Sequence, residues 1–326
     1  MGIMPLTQRG ISSSRLAYGC MGLGGGRNRN ALTAEDIALA EAAVEAALSI
    51  GIGLFDHADV YALGKAEAVF GEALKRNPQW RQEMKIQSKC GIRNAEGAAP
   101  KRFDFSKEHI LASVDGSLER LGVDYLDLLL LHRPDPLMEP DEVAEAFDRL
   151  ETAGKVRHFG VSNMSERQIR FLQRSLRQPL VVNQLQLSLG HLDWIEHGVN
   201  VNQRKGIDIN FQEGTLEYCR AENIQLQAWG PLAKGLFTGR AGSGEQTEPV
   251  RQTVELVREM AEEYRTSPEA IVLGWVMRHP AAIQPIIGST RPGRIAACKD
   301  APRVAEAMSS GDWYRLFVSA RGKLLP

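Results

Sequence analysis

Cysteine is scarce and scattered. The four in 326 residues (Cys20, Cys90, Cys219 and Cys298) form no C-x-x-C pair, and no histidine cluster stands at metal-ligand spacing. That speaks against a disulfide scaffold and a structural zinc site, so no metal is expected. An excess of charge is also missing. Lys plus Arg total 39 against 40 for Asp plus Glu, a formal net charge of -1, which argues against a general attraction to nucleic acid or anionic membrane but leaves room for a local phosphate site. No apolar run nears the roughly 18 residues of a membrane span; Leu128 to Leu131 stops at His132 and Arg133. The opening MGIMPLTQRGISSS has no basic stretch leading into an apolar one, so no secretory signal is expected and a soluble cytoplasmic protein is. There is no Pro/Ser-rich linker, fixed repeat or low-complexity tract, and residues 1–326 are expected to form one domain.

What is present is a regular alternation. Short apolar runs of strand length fall at Arg15–Cys20, Leu54–Asp56, Lys85–Lys89, Tyr125–Leu131, His158–Val161, Val181–Gln184, Gln225–Trp229 and Ile283–Ile287. Helical periods lie between them at Ala34–Ile50, Lys65–Lys75, Lys107–Leu121, Asp141–Ala153, Glu166–Leu176, Gln212–Glu222 and Val250–Tyr264. Thr33, Ser106 and Ser165 stand where N-caps belong, and Gly122 and Gly154 where helices stop. Strands separated by helices imply parallel β-α units. Eight of them predict an α/β fold, a (β/α)8 TIM barrel, with an N-terminal hairpin at Met4–Ser14, a long loop from Leu187 to Asn210, and a C-terminal helix near Arg303–Ala320. The rival is a doubly wound dinucleotide fold, suggested by the glycines from Gly19 to Gly26. Its fingerprint fails, because the third glycine falls on Arg27 and the next strand-end acid, Asp56, lies beyond the roughly 20 residues expected. Those glycines read instead as a closely approached loop at a barrel mouth.

Chemistry in a barrel gathers at the C-terminal ends of its strands. Here those ends read L-F-D (Asp56), I-Q-S-K (Lys89) and L-L-L-L-H (His132), then V-S-N (Ser162, Asn163), N-Q (Asn183, Gln184) and A-W-G (Trp229), with Tyr61 five residues past Asp56. Singly, each has a bland explanation: a turn-forming Asp, a solvated Lys, a packed His, a rim Tyr. Together, on neighbouring strand ends, they suit the protonation of a carbonyl oxygen as hydride arrives. A free phenol, near pKa 10, is a weak acid for that task. An ammonium beside it favours phenolate, a carboxylate keeps the ammonium charged, and a neutral imidazole can hold the carbonyl oxygen.

These stretches resemble the aldo-keto reductase superfamily: G-I-G-L-F-D-H-A-D-V-Y-A-L-G-K-A-E-A-V-F-G-E-A-L from Gly51, K-I-Q-S-K-C-G-I from Lys85, L-D-L-L-L-L-H-R-P-D-P from Leu126, G-K-V-R-H-F-G-V-S-N from Gly154 and G-P-L-A-K-G from Gly230. They look most like its bacterial predicted-oxidoreductase branch, over about Arg15 to Arg294. The resemblance implies an NADPH-dependent reduction of a small aldehyde or ketone, with Asp56, Tyr61, Lys89 and His132 as the catalytic tetrad. In it Tyr61 is the general acid, Lys89 lowers the tyrosine pKa, Asp56 pairs with Lys89, and His132 orients the carbonyl. It further implies that Ser162, Asn163 and Gln184 grip the nicotinamide carboxamide and that Trp229 stacks on its ring. Gly22 lies in the mouth loop near the cofactor; Pro231, Leu232 and Lys234 cover the pyrophosphate. Gly288, Ser289 and Thr290, opening a helix with Arg294, receive the adenosine 2'-phosphate. Ala297 and Cys298 depart from the Glu-Asn that many relatives place there for adenosine contacts. Two other functions fit a lysine-bearing barrel: a Schiff-base aldolase using Lys89, and a nucleotide-sensing barrel without turnover.

Overall fold

A computed structural model describes residues 2–239 and 246–326. Eight parallel strands close into a barrel: β1 (Ala17–Gly19), β2 (Leu54–Asp56), β3 (Lys85–Cys90), then β6 (Leu126–Leu131), β7 (Val156–Ser162), β8 (Leu180–Gln186), β9 (Gln225–Trp229) and β10 (Gln284–Ile287). The order around the barrel is β1-β10-β9-β8-β7-β6-β3-β2, so β1 is held on one side by β10 and on the other by β2. The remaining two strands, β4 (Ile92–Arg93) and β5 (Arg102–Phe103), pair antiparallel as a hairpin that follows Cys90 at the mouth.

The helix starts follow the sequence chemistry. Thr33 and Ser165 form reciprocal capping boxes with Asp36 and Gln168, and Ser106 caps the Lys107–Leu121 helix. Gly122 closes that helix at φ 64°, where a side chain would be strained. Two apolar layers result. Leu6, Ile11, Leu54, Leu128, Leu130, Val182 and Ile286 pack inside the barrel, and a larger core fills the space between strands and helices.

Three expectations need correction. Met4–Ser14 is not a hairpin: Pro5 begins a single helical turn, Pro5–Gln8, whose Leu6 is buried in the barrel floor. Its ring fixes φ for a first helical residue, and one turn suffices to plug the opening. The C-terminal helix is two, Ala301–Ala307 and Ser310–Arg321, because Ser309 caps a fresh start. The 191–210 segment is not all loop; it contains the helix Asp193–Val199, tied to the C-terminal helix by Arg321 donating to Glu196 at 3.0 Å. A ten-residue helix also escaped the periodic reading. Pro268–Met277 is buried almost all round and so has no polar face to betray it.

Candidate functional site

Asp56, Lys89 and His132 come to the mouth because β2 and β3 end there and His132 immediately follows β6. Register puts Lys89 beside Leu130, whose side chain lies in the inner layer, so the ammonium stem also points inward. The Lys89 side chain is wholly buried, and its nitrogen donates to Asp56 Oδ2 at 2.7 Å, the His57 carbonyl at 2.8 Å and the Tyr61 hydroxyl at 3.0 Å. All three ammonium protons are thereby engaged. An ammonium cannot accept, so Tyr61 must receive that bond and keeps its own hydrogen for another partner. The Tyr61 and His132 rings meet edge to face with centroids 5.8 Å apart.

Tyr61 opens a tight turn in which Ala62 (φ 49°), Leu63 (φ 61°) and Gly64 (φ 89°) are all left-handed. Two of the three carry side chains that disfavour this region, at a cost of about 1–2 kcal/mol each. The turn sets the phenol above Lys89, the placement for which that strain is tolerated. Beside it lies a cavity of about 610 Å³, between the mouth loop, the Tyr61 turn and the hairpin; Asn28, Asp59, Leu63, Lys65, Arg93 and His109 are among its walls.

The electrostatics follow from burial. Burial lowers the His132 pKa to about 2, aided by the Lys89 charge, so its imidazole is neutral throughout the working range. Burial opposes the Lys89 charge, but Asp56 and Tyr61 outweigh it and hold the ammonium above its usual pKa. The tyrosine corrects an expectation. Lys89 does pull its pKa down, yet burial is the larger effect and the net displacement is upward. The proton is therefore present at neutral pH, and Lys89 acts chiefly on the phenolate left when it departs.

The other sequence-selected residues fall in two groups. Ser162 ends β7 and Asn163 follows it: Ser162 donates to the Gln184 carbonyl at 2.9 Å, Asn163 donates to the His132 carbonyl at 3.1 Å, and Asn163 accepts from the Trp229 indole at 3.1 Å. Gln184 is drawn inward, its amide donating to Asp56 Oδ1 at 3.1 Å. The second group lies on the β1, β9 and β10 side. Gly22 approaches Thr290 so closely that a Cβ there would sit 3.0 Å from its methyl. Gly288, Ser289 and Thr290 run from β10 into the short helix Pro292–Ala296, which carries the half-buried Arg294. Pro231 is buried and Lys234 exposed on the turn after β9, the strand next to β10.

Sequence reasoning passed over Gln87, Gln227 and Gln284, all fully buried at inward strand positions, and His57, buried with neither ring nitrogen bonded among the described residues. The signal available was a glutamine inside each of I-Q-S-K, L-Q-A-W and Q-P-I-I.

Residues 15–307 match the Aldo/keto reductase family. The chain belongs to that family. It is 38% identical over 288 residues to the uncharacterized oxidoreductase YcsN of Bacillus subtilis, covering 87% of this chain and 88% of that one. It is 34% identical over 318 residues to a 6-dehydroglucose reductase of Agrobacterium fabrum, covering 96% of each. A glycerol dehydrogenase from Gluconobacter oxydans shares the fold with a TM-score of 0.75 at 24% identity, over 96% of this chain and 94% of that one. This aldo-keto reductase is thus an oxidoreductase acting on carbonyl substrates, in a family that generally uses NAD(P)H. No helix among the described residues is long and apolar enough to cross a membrane.

Proposed function

We propose that this chain, one barrel unit over residues 1–326, reduces a small aldehyde or ketone to the alcohol using NADPH, with Tyr61 as the general acid. The observation that carries this reading is the Lys89 nitrogen bridging Asp56 and the Tyr61 hydroxyl at 2.7 and 3.0 Å. A reduced nicotinamide held there would supply the hydride. Ser162 and Asn163 offer the hydroxyl and amide chemistry its carboxamide needs, and the Trp229 indole beside them offers a stacking face. Arg294, with the Ser289 and Thr290 hydroxyls, offers donors of the kind a phosphate takes, which favours the 2'-phosphorylated dinucleotide.

The chain's own part is to deliver one proton and hold the oxygen that takes it. Neutral His132 donates to the carbonyl oxygen and aims it at Tyr61. As negative charge grows on that oxygen, the Tyr61 proton crosses to it. The phenolate left behind lies against Lys89, where a charge pair at this distance is worth roughly 5 kcal/mol at an effective dielectric of about 20, before the opposing field of Asp56 is subtracted. That gain is absent while the phenol is intact, so it lowers the barrier rather than the ground state.

Two competing readings are weaker. A Schiff base needs an unprotonated lysine with room for a carbonyl carbon, whereas the Lys89 ammonium has every proton engaged and no exposed surface. A sensing module without turnover has no need of the assembled proton donor.

Tyr61→Phe should leave NADPH binding, followed by fluorescence titration, unchanged and cut turnover across a carbonyl panel by about 10²–10⁴-fold. Wild-type turnover in that variant would end the acid assignment.

A further inference from the structure

Four glutamines occupy the barrel interior beneath Asp56, at depths where such barrels ordinarily place branched apolar side chains. Gln87, Gln227 and Gln284 are fully buried and Gln184 nearly so. Register sets Asp56 beside Gln87 on β2 and β3, and Gln184, Gln227 and Gln284 in a row across β8, β9 and β10. An amide in such a place is costly unless each of its groups is bonded.

The bonds form one connected chain, in which Gln87 and Gln227 are paired reciprocally. Gln87 donates to Asp56 Oδ1 at 2.5 Å and to Gln227 Oε1 at 2.9 Å; Gln184 donates to the same two oxygens at 3.1 and 3.0 Å. Gln227 donates to Gln87 Oε1 at 3.2 Å and Gln284 Oε1 at 2.9 Å, and Gln284 donates to the Ser14 carbonyl at 2.6 Å. The direction has a single origin. A carboxylate only accepts, so both amides facing Asp56 must turn their NH2 groups toward it. Gln227 must then face them with its oxygen, Gln284 must receive the Gln227 NH2, and the last NH2 ends on a carbonyl of the N-terminal plug. The ionised Asp56 thus orders the polarity of side chains across the whole barrel interior, and they in turn hold it by two charge-assisted bonds on Oδ1.

We propose that Gln87, backed by Gln184, Gln227 and Gln284, is a positioning residue for the reaction: the chain clamps Asp56 Oδ1 so that Oδ2 stays aimed at Lys89, and through that ammonium it sets how readily Tyr61 gives up its proton. The proposal rests on the catalytic reading above. Gln87 makes no hydrogen bond to the Tyr61 hydroxyl and acts through Asp56 and Lys89.

Gln87→Met keeps the length and volume of the side chain and removes both donors. The expected result is a kcat for carbonyl reduction lowered about tenfold, with KM for the carbonyl and Kd for NADPH held near wild type. The alkaline limb of the kcat profile should move up by at least about half a pH unit, because a less firmly anchored ammonium stabilises the phenolate less. Gln284→Met, linked to Asp56 only through the chain, should move the limb in the same direction by less. A limb that stays in place in a folded Gln87→Met enzyme overturns the proposal, whatever happens to kcat; should that variant fail to fold, an unmoved limb in Gln284→Met does so. Tyr61→Phe run alongside separates the two levels: if it retains turnover the catalytic reading fails, and if it is inactive while Gln87→Met keeps the wild-type limb, only the positioning proposal fails.

Discussion

Lys89 and Arg294 are both cations on a barrel rim, and their surroundings give them different work. Lys89 is sealed, with its protons committed to Asp56, His57 and Tyr61, so its charge is a fixed electrostatic element. Arg294 is half-buried on a short helix after β10 and keeps a planar fork suited to a phosphate. Arg294→Ala should raise Kd for NADPH about tenfold or more, the equivalent of one good charge-assisted contact, and leave Kd for NADH nearly unchanged. Paired fluorescence titrations decide it, and equal losses would remove the 2'-phosphate argument. At this scale the sequence disclosed the ionisable groups, because Asp56, Lys89 and His132 end apolar runs where charge is conspicuous. The glutamines were not conspicuous. An amide inside a strand reads as an ordinary outward polar residue unless the face it occupies is known.

Between elements, close approach is decided by glycine. Where the Lys65–Arg76 helix crosses the Lys107–Leu121 helix, a Cβ on Gly71 would lie 2.3 Å from the Arg120 carbonyl oxygen and 3.0 Å from backbone of Leu121. Alanine in a helix interior gains about 1 kcal/mol over glycine in propensity. Here the obstacle is backbone, which cannot rotate aside, and overpacking of this kind costs typically 1–3 kcal/mol. Gly71→Ala should therefore lower the urea unfolding midpoint, with a slope close to wild type; a stabilised variant would mean the helices separate freely. The Gly71 constraint was invisible in the sequence, where the residue sits inside a good helical period. The capping serines and Thr33 were visible, since a cap acts within three residues of itself. Pro268–Met277 was missed for the opposite reason: it is covered on all sides by other elements and needs no polar face.

For the whole molecule, burial converts directly into pH dependence. Burial holds His57 at about 3, helped by the Lys89 charge, His132 at about 2 and His279 at about 4, each below the usual 6.5. Each stays neutral when folded and takes a proton when unfolded, so its contribution is complete above pH 6.5 and declines as pH falls toward the folded value. Asp59 has the reverse sign: burial and then Glu67 raise its carboxyl from 3.8 to about 7, and stability drains away as pH climbs through that interval. Three imidazoles outweigh one carboxyl between about pH 6.5 and 4.5, so the denaturation midpoint should fall on acidification across that range. A midpoint flat or rising there would show that these histidines are not buried as described. The barrel as a whole was readable from the sequence because β-α alternation and end signals act over a few residues at a time. So were the family motifs, which are contiguous. What the sequence left open was set by closure of the sheet: which side of each strand faces inward, how deep Lys89 sits, that burial outweighs its pull on Tyr61, and that four glutamines from separate strands join into one hydrogen-bonded chain. Those are relations between residues up to 270 positions apart in the chain, and desolvation and hydrogen-bond direction take their values only once the strands have met.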